Sequence, residues 1–273
     1  MVVQQHEFIA ALHGVFKPRT YLEVGVAGGQ SLAQSRCRSI GVDPEYRVFA
    51  ELRCDVQLVR APSDDFFARP DATAHFGGRP ADLVYIDGMH LLEFALRDFI
   101  NSERVCSPTS VILIDDILPR SDDEAARDRH TGAWTGDVFK ILPVLQEYRP
   151  DLVVVPVDNY PCGTAVVFGL DPDSTVLRDH YDEIVRRYVT PDPQHVPTSV
   201  LRRTLTVERR AVLGLSAWGA LRRRRGWRAR KGFSGQREPL ESALPLASRV
   251  RPALRDMIPS TVAPESSTSV ARD

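Results

Sequence analysis

Residues 20–31 have the sequence TYLEVGVAGGQS, in which a short apolar strand runs directly into a glycine cluster. Glycine lets a backbone adopt positive φ and approach a ligand closely, so this pattern is typical of the first strand and turn of an α/β fold. A dinucleotide-binding turn would continue from Gly25 with glycines at positions 27 and 30, where this chain has Ala27 and Gln30. The stretch therefore predicts a ligand at this turn and disfavours a nicotinamide dinucleotide as that ligand.

An acidic residue, Asp43, ends the second predicted strand. It lies 18 residues beyond Gly25, close to the roughly 20 residues that separate the glycine turn from a ribose-binding carboxylate in doubly wound folds. The chain has no G-x-x-x-x-G-K-[ST] motif, which argues against a P-loop nucleotide hydrolase. Together, the turn and Asp43 predict a cofactor of the nucleoside type.

Apolar strands alternate with helical patterns over the first 190 residues, which predicts an α/β, doubly wound, Rossmann-like fold with helices on both faces of a mostly parallel sheet. The predicted strands are 20–26, 39–44, 56–62, 81–88, 110–117, 152–157 and 164–170, and the predicted helices are 4–16, 31–38, 91–106, 137–150 and 177–189. Pro143 predicts a kink or a late start in the fourth of these helices. The last two strands are too close in sequence for a crossover helix, so we expect them to be antiparallel.

The charge distribution divides the chain into an acidic body and a basic segment. The net charge is -1 overall, but residues 201–231 carry +10, residues 232–273 carry 0 and the first 200 residues carry -11. We expect a folded domain over 1–190, a linker with a basic, Trp- and Arg-rich helical segment over 191–231, and a disordered tail over 232–273. The four cysteines lack CxxC spacing and no signal sequence is visible, so we expect free thiols and a cytoplasmic location.

Five ordered motifs within residues 4–190 carry a resemblance to a known family. They are EVGVAGGQS, GVDP, APSDDFF, DLVYIDGMH and VILIDD. As a set, they resemble the class I S-adenosylmethionine-dependent methyltransferases. They are most similar to the small bacterial O-methyltransferases that act on macrolide and aminocoumarin sugars. The resemblance implies a seven-stranded sheet with a reversed last strand, and S-adenosyl-L-methionine as the cofactor.

The same resemblance assigns cofactor-binding residues. Glu23, Gly25 and Gly29, with Ser31 in the same segment, would bind the methionine end of the cofactor. Asp43 would bind the ribose hydroxyls, and Ser63 and Asp64 would lie near the adenine. Asp87 would face the methyl-transfer site. An ordinary loop or helix cap accounts equally well for Ser63 and Asp64.

Three carboxylates follow adjacent predicted strands and suggest a metal site. Asp87 ends the fourth strand, and Asp115 and Asp116 end the fifth. Because parallel strands bring their carboxyl ends together, these groups would repel one another unless protons or a cation intervened. Oxygen ligands suit Mg²⁺ or another hard divalent cation, and the related sugar O-methyltransferases use such a metal to hold a diol. Alternatively, Asp115 or Asp116 caps the following segment, and the enzyme needs no metal.

His90 follows Asp87 closely and is the predicted general base, because a neutral imidazole accepts a proton near pH 7. A helix-capping or solvent-exposed His90 is the alternative. Trp134 is a candidate wall of the substrate pocket, and Thr135 or Asp137 a candidate cap of the helix that follows. The charged stretch 121–130 is interpreted as a lid, or else as a solvated surface loop.

The segment 201–231 places Trp218 and Trp227 on either side of an arginine run, 222–225. Such a helix suits an anionic membrane surface or a protein partner, and it could also dock on the acidic body. A solubilising tail is the simplest alternative. The acidic charge of the first 200 residues argues against a nucleic-acid substrate.

These observations predict a methyltransferase that transfers a methyl group to a hydroxyl of a sugar, glycan or secondary metabolite. His90 and Asp87 would be catalytic, and Asp87, Asp115 and Asp116 would bind a metal. Two other classes stay open. One is a nicotinamide-dependent Rossmann oxidoreductase, and the other is a non-catalytic scaffold whose basic segment binds a membrane or partner.

Overall fold

The computed structural model describes residues 4–225 and 240–259, and its centre is one mixed β-sheet. The strand order is β3-β2-β1-β4-β5-β7-β6-β8. The strands are β1 (Thr20–Val24), β2 (Arg38–Val42), β3 (Val56–Val59), β4 (Leu83–Ile86), β5 (Val111–Ile114), β6 (Val153–Asp158), β7 (Thr164–Phe168) and β8 (Val207–Glu208). Every residue of β1, β4, β5 and β7 is buried, as expected for strands covered on both faces.

The sheet topology confirms the predicted mostly parallel arrangement. Strands β1 to β5 are parallel, whereas β7 is antiparallel to both of its neighbours, β5 and β6. The count of seven strands is corrected to eight, because β8 pairs in parallel with β6 through Val157↔Val207 and Asp158↔Glu208. A two-residue strand is too short to produce an alternating pattern, so the sequence showed no sign of it.

Helices cover both faces of the sheet. They are α1 (Gln4–Phe16), α2 (Ser63–Phe67), α3 (Leu92–Arg104), α4 (Ile141–Tyr148), α5 (Val176–Asp179), α6 (Tyr181–Tyr188), α7 (Thr198–Leu201), α8 (Arg209–Leu213), α9 (Ala217–Arg224) and α10 (Leu244–Arg255). The helix predicted over 31–38 is only a 3₁₀ turn, Leu32–Gln34, because Ser35 is extended and β2 begins at Arg38. Helix α4 has the late start that Pro143 predicted.

The described residues beyond 190 pack on the same body instead of standing apart from it. The indole of Trp218 in α9 is buried between Phe16 and Phe168, with ring centroids 5.5 and 5.2 Å away. The Arg225 guanidinium lies 3.9 Å from the centroid of the Phe16 ring and donates to the carbonyl oxygens of Phe16 and Lys17. The described part of the basic segment therefore covers α1.

Helix α10 corrects the prediction of a disordered tail over part of 232–273. Its residues Ala247, Val250 and Leu254 recur at helical spacing and are buried where α10 packs against α4 and β6. One short apolar stripe among Pro, Ser and Arg is a weak sequence signal for a helix. Such a helix becomes stable only when its apolar stripe packs against another surface of the protein. The segments 226–239 and 260–273, which include Trp227, lie outside the described residues.

All four cysteines are free thiols, as predicted. None of the helices within 4–225 and 240–259 has both the length and the apolar character needed to cross a bilayer.

Candidate active site

The glycine turn joins β1 to the carboxyl end of β4. Gly25 has φ +88°, and its N–H donates to the carbonyl of Val42 at 2.9 Å. A Cβ on Gly25 would lie 1.8 Å from the backbone oxygen of Asp87, so only glycine allows this approach. Gly29 has φ +81°, and a Cβ there would lie 2.9 Å from the Val48 side chain. The predicted turn therefore directly touches the residue predicted to face the transfer site.

Glu23 and Ser31, two of the predicted cofactor residues, contact each other beneath this turn. The Ser31 hydroxyl donates to Glu23 Oε1 at 2.7 Å, and the Tyr21 hydroxyl donates to Oε2 at 2.6 Å. The carboxyl of Glu23 is fully buried, and burial raises its pKa to about 8. The group is therefore neutral at pH 7, and it would release a proton to pair with a cationic ligand.

Asp43 lies beside the glycine turn, as predicted, but its carboxylate also holds the turn in place. Its Oδ2 accepts from the amides of Val26 and Ala27 at 3.0 and 2.8 Å, and its Oδ1 accepts from Glu45 at 2.6 Å. Each oxygen of a carboxylate has two acceptor positions, so Oδ2 is fully used and one position, on Oδ1, is left for a ribose hydroxyl.

Ser63 and Asp64 begin α2 and connect it to α3. Asp64 pairs with Arg97 at 2.9 Å and is 46% exposed, so its charge is already balanced at the surface. Ser63 hydrogen-bonds to Asp98, whose carboxylate is buried and comes within 3.2 Å of a Cβ built on Gly88. The structure thus places Ser63 beside Asp98, near the end of β4, and Asp64 in a surface ion pair.

Asp98 is a residue that the sequence analysis missed. Burial raises its pKa to about 6. The sequence did contain a signal for it: Asp98 is acidic but lies on the buried face of α3, three residues after Ala95 and next to Phe99. A carboxyl on the apolar face of a helix is costly to bury and usually has a specific task.

A cluster of two carboxylates and one imidazole lies next to the glycine turn. His90 Nε2 lies 3.0 Å from Asp116 Oδ2 and 3.3 Å from Asp87 Oδ1. The Tyr85 hydroxyl donates to Asp87 Oδ2 at 3.2 Å. One donor atom from each of Asp87, His90 and Asp116 lies within 4.8 Å of the others, which is close enough for one metal ion to touch all three.

Asp115, the third carboxylate of the predicted metal set, lies outside this cluster. Its Oδ1 accepts from the Thr164 hydroxyl at 2.7 Å, and its Oδ2 accepts from the Gln5 amide. Burial and the neighbouring Asp116 raise the pKa of Asp115 well above its usual range. Consecutive residues at a strand end point in different directions, so only one of the two aspartates can face Asp87, and His90 takes the place predicted for the other.

His90 has the backbone and the charge environment of a residue held in place. Its φ is +54°, its ring stacks on Trp134 with centroids 5.1 Å apart, and its Nδ1 lies 2.9 Å from the Trp134 carbonyl oxygen. Burial alone would lower the pKa of His90, but the carboxylates of Asp116 and Asp87 raise it to about 10. In the arrangement seen here both ring nitrogens are engaged, Nδ1 by the Trp134 carbonyl oxygen and Nε2 by the carboxyl groups of Asp116 and Asp87.

The segment after the predicted lid positions His90 and the start of α3. A Cβ on Gly136 would lie 1.6 Å from the His90 carbonyl oxygen. Asp137 accepts the amide of Leu92 at 2.9 Å, so it caps α3 and not the helix that follows it, contrary to expectation. Arg127 donates to Asp137 at 2.8 Å and pairs with Glu93, which anchors the charged stretch 121–130 to the domain.

Comparison with known proteins finds a family model that matches part of the chain. Residues 22–117, from within β1 to just past β5, match the family model of a methyltransferase domain. The resemblance to methyltransferases is therefore confirmed over these residues. No curated protein matches the sequence.

Several solved structures are similar to the chain at low identity. Cofactor-bound Rv0187 from MTB is 20% identical over 62% of this chain and 81% of its own, with a TM-score of 0.45. The O-methyltransferase TomG from Streptomyces achromogenes, involved in tomaymycin synthesis and solved with SAM, is 20% identical over 61% and 80%, with a TM-score of 0.44. An O-methyltransferase from Bacillus cereus, solved with SAH, is 15% identical over 61% and 81%, with a TM-score of 0.44.

Proposed function

We propose that this chain, in which residues 22–117 form a methyltransferase domain, transfers a methyl group from S-adenosylmethionine to a hydroxyl oxygen of a sugar, glycan or other small metabolite. One observation carries the proposal: within the matched residues, the glycine turn at Gly25 touches Asp87 of the acidic cluster. A cofactor bound at the turn and a hydroxyl held at the cluster would therefore be neighbours. The methyl donor is already a strong electrophile, so the protein's tasks are to align the two groups and remove a proton.

Glu23, Gly25, Gly29 and Ser31 are proposed to bind the methionine end of the cofactor. The neutral, buried carboxyl of Glu23 would ionise when the cofactor's ammonium group arrives beside it. Asp43 would accept a ribose hydroxyl with the remaining acceptor position of its Oδ1. Ser63, held by Asp98 near Gly88, is proposed to face the adenine more closely than Asp64 does.

The residues of the cluster fit a divalent cation. Two carboxylates and an imidazole whose donor atoms lie within 4.8 Å of one another form a reasonable ligand set, and the two acids otherwise repel each other. Such a cation, when bound, lowers the pKa of a coordinated hydroxyl and orients it. Asp87 and Asp116 would hold the cation. Because His90 Nδ1 lies against the Trp134 carbonyl oxygen, Nε2 is the one nitrogen that faces the cluster, and it can either ligate the cation or receive a proton, but not both at once. We assign it the second role, as the group that receives the acceptor's proton.

Calorimetric titration with S-adenosylhomocysteine, with NAD titrated in parallel, tests the cofactor class. We expect micromolar binding of the first and none of the second. Binding of NAD alone would favour an oxidoreductase, and binding of neither would refute the proposed cofactor site. Methyl transfer to a panel of hydroxylated acceptors, with and without Mg²⁺, then tests the reaction.

Two neighbouring aspartates provide a matched test of the metal site. We expect Asp116→Asn to weaken Mn²⁺ binding at least tenfold, because a ligand carboxylate is lost. Asp115→Asn serves as the control, because Asp115 lies outside the cluster and burial already favours its neutral form. Equal effects of the two variants, or no Mn²⁺ binding by the wild type, would contradict the proposed site.

A further inference from the structure

A second cavity opens at the same edge of the sheet as the candidate active site. Strand β6 runs parallel to β5, because both are antiparallel to β7, and β8 runs parallel to β6. The carboxyl ends of β6 and β8 therefore share the edge at which β1, β4 and β5 end. The cavity has a volume of about 500 Å³ and is lined by Gln4, Asp158, Tyr160, Arg203, Glu208, Arg209 and Arg210.

The arginines of this cavity differ in how fully their charges are balanced. The charge of Arg203 is balanced, since its guanidinium pairs with Asp158 at 2.5 Å and donates to the Pro161 carbonyl. Arg209 donates to the Gln4 carbonyl at 3.3 Å and lies 3.6 Å from Glu7, so its guanidinium is only partly engaged. Arg210 is exposed and has no ion-pair partner within residues 4–225 and 240–259.

The side chains that line the cavity carry a net charge of +1, on a body that is strongly anionic. Three arginines face two carboxylates in its lining, whereas the first 200 residues carry a net charge of -11. Arg209 and Arg210, whose charges are not fully balanced, are the first two residues of α8, and β8 attaches this helix to the edge of the sheet. Guanidinium groups bind carboxylate and phosphate oxygens through paired, charge-assisted hydrogen bonds, and a neutral ligand would leave this capacity unused.

The hairpin turn between β6 and β7 separates the cavity from the acidic cluster. Tyr160 lies on the cavity side of the turn, and its amide donates to the Gln4 side chain at 3.4 Å. Cys162 lies on the other side, where its thiol hydrogen-bonds to Asp116. The Cα atoms of Tyr160 and Cys162 are two residues apart and so at most about 7 Å from each other. The cavity and the acidic cluster therefore lie on the two sides of one short turn.

We propose that Arg209 and Arg210 bind an anionic group, carboxylate or phosphate, carried by the molecule whose hydroxyl is methylated. The inference rests on the proposed function for the identity of that molecule, but the anion site stands on the cavity alone. Tyr160, which is 41% exposed, offers an aromatic face at the rim for the part of the molecule that spans the turn. The acceptor is thereby narrowed from any hydroxylated metabolite to a hydroxy acid or a phosphorylated polyol of about the size of a sugar.

Inorganic phosphate is the first probe, because its binding needs no cofactor and no turnover. We expect the wild-type protein to bind phosphate in the millimolar range by calorimetry, and the double variant Arg209→Ala/Arg210→Ala to bind at least tenfold more weakly. Arg202→Ala is the matched control, since Arg202 is an exposed arginine in the same region that does not line the cavity. It should bind phosphate within twofold of the wild type.

No phosphate binding by the wild type, or equal binding by the double variant, would overturn the proposal. Arg210→Ala alone, at an exposed position, keeps the test valid if the double variant unfolds. Circular dichroism melting of each variant identifies that case.

A second set of measurements tests the link to methyl transfer and identifies the kind of anion. Glucose, glucuronate and glucose 6-phosphate are compared as acceptors and as competitors of phosphate. We expect at least one of the two anions to be favoured over glucose by tenfold or more, and Arg210→Ala to remove that preference. The favoured anion tells carboxylate from phosphate, and a preference for glucose would overturn the assignment of the acceptor. Arginine-dependent phosphate binding without any binding of S-adenosylhomocysteine would refute the proposed function and leave the anion site standing.

Discussion

Replacement of Gly25 by alanine is the sharpest perturbation that the structure offers, because it tests the contact between the glycine turn and the acidic cluster. The added Cβ would lie 1.8 Å from the backbone oxygen of Asp87 and 2.4 Å from its carbonyl carbon, where real contacts are at least 3.0 Å. Both atoms belong to backbone at the end of a buried strand, so no side-chain rotation relieves the clash. The end of β1 and the end of β4 must move apart by more than an ångström.

The cost of Gly25→Ala has two parts. A residue with a Cβ at φ +88° costs about 1–2 kcal/mol, and overpacking in a dense core typically costs about 1–3 kcal/mol more. Since a domain is stable by only about 5–15 kcal/mol, we expect the melting temperature to fall by about 5–15 °C. The displaced turn should weaken S-adenosylhomocysteine binding at least tenfold, a loss of about 1.4 kcal/mol or more.

Thermal melting and calorimetric titration measure the two effects of Gly25→Ala separately. Gly14→Ala is the control, because Gly14 lies in α1 and an added Cβ there meets no atom within 4 Å. That variant should gain about 0.5–1 kcal/mol of stability and bind the cofactor unchanged. If Gly25→Ala has the melting temperature of the wild type and binds S-adenosylhomocysteine as tightly, the turn does not touch Asp87 as described. The glycine turn and the acidic cluster would then not be neighbours.

Three further predictions concern stability. Burial raises the pKa of Glu23 to about 8 from 4.5, so its stabilising contribution is complete below about pH 4.5 and is lost as the pH rises through 8; Glu23→Gln should flatten this decline, measured as urea midpoints between about pH 6 and about pH 9. Arg149→Ala should lower the free energy of unfolding by about 3–5 kcal/mol, measured with urea, because it removes the guanidinium that lies 2.8 Å from the buried carboxylate of Glu103; Arg178→Ala, which breaks an exposed ion pair, should lower it by less than about 0.5 kcal/mol. Equal losses of stability in the two variants would contradict this reasoning. Trp218→Ala should cost about 3–5 kcal/mol because the indole is buried against two phenylalanine rings, and an unchanged melting temperature would show that α9 does not pack as described.

The elements that the sequence predicted well are those with a strong local pattern. Helix α1 has the predicted bounds, because its apolar residues recur at helical spacing and Pro18 follows its end. The buried strands are continuous apolar runs, and the short connection between β6 and β7 required an antiparallel pair. Glycines with positive φ at 25 and 29 could likewise be predicted from the turn itself.

The membership of the acidic cluster was not readable from the same patterns. Asp115 and Asp116 are adjacent and chemically identical, and the choice between them depends on the backbone beyond the last paired residue of β5, where Asp116 has φ +61°. His90 joins the cluster because the backbone before α3 turns it toward Asp116. Neither direction has a sequence signal, because each is fixed by contacts with residues far along the chain, such as Thr164 and Trp134.

The sequence by itself therefore determined the class of fold, the position of the glycine turn and the set of acidic and histidine residues at the carboxyl edge of the sheet. Only the tertiary structure decided which of those residues face one another, that Asp98 lies buried beside Gly88 after β4, and that Arg209 and Arg210 reach the same edge through β8. The physical reason is the range of the interactions. Periodicity and turn chemistry act over a few residues, whereas side-chain direction at a strand end and the pairing of an edge strand are set by packing between distant parts of the chain.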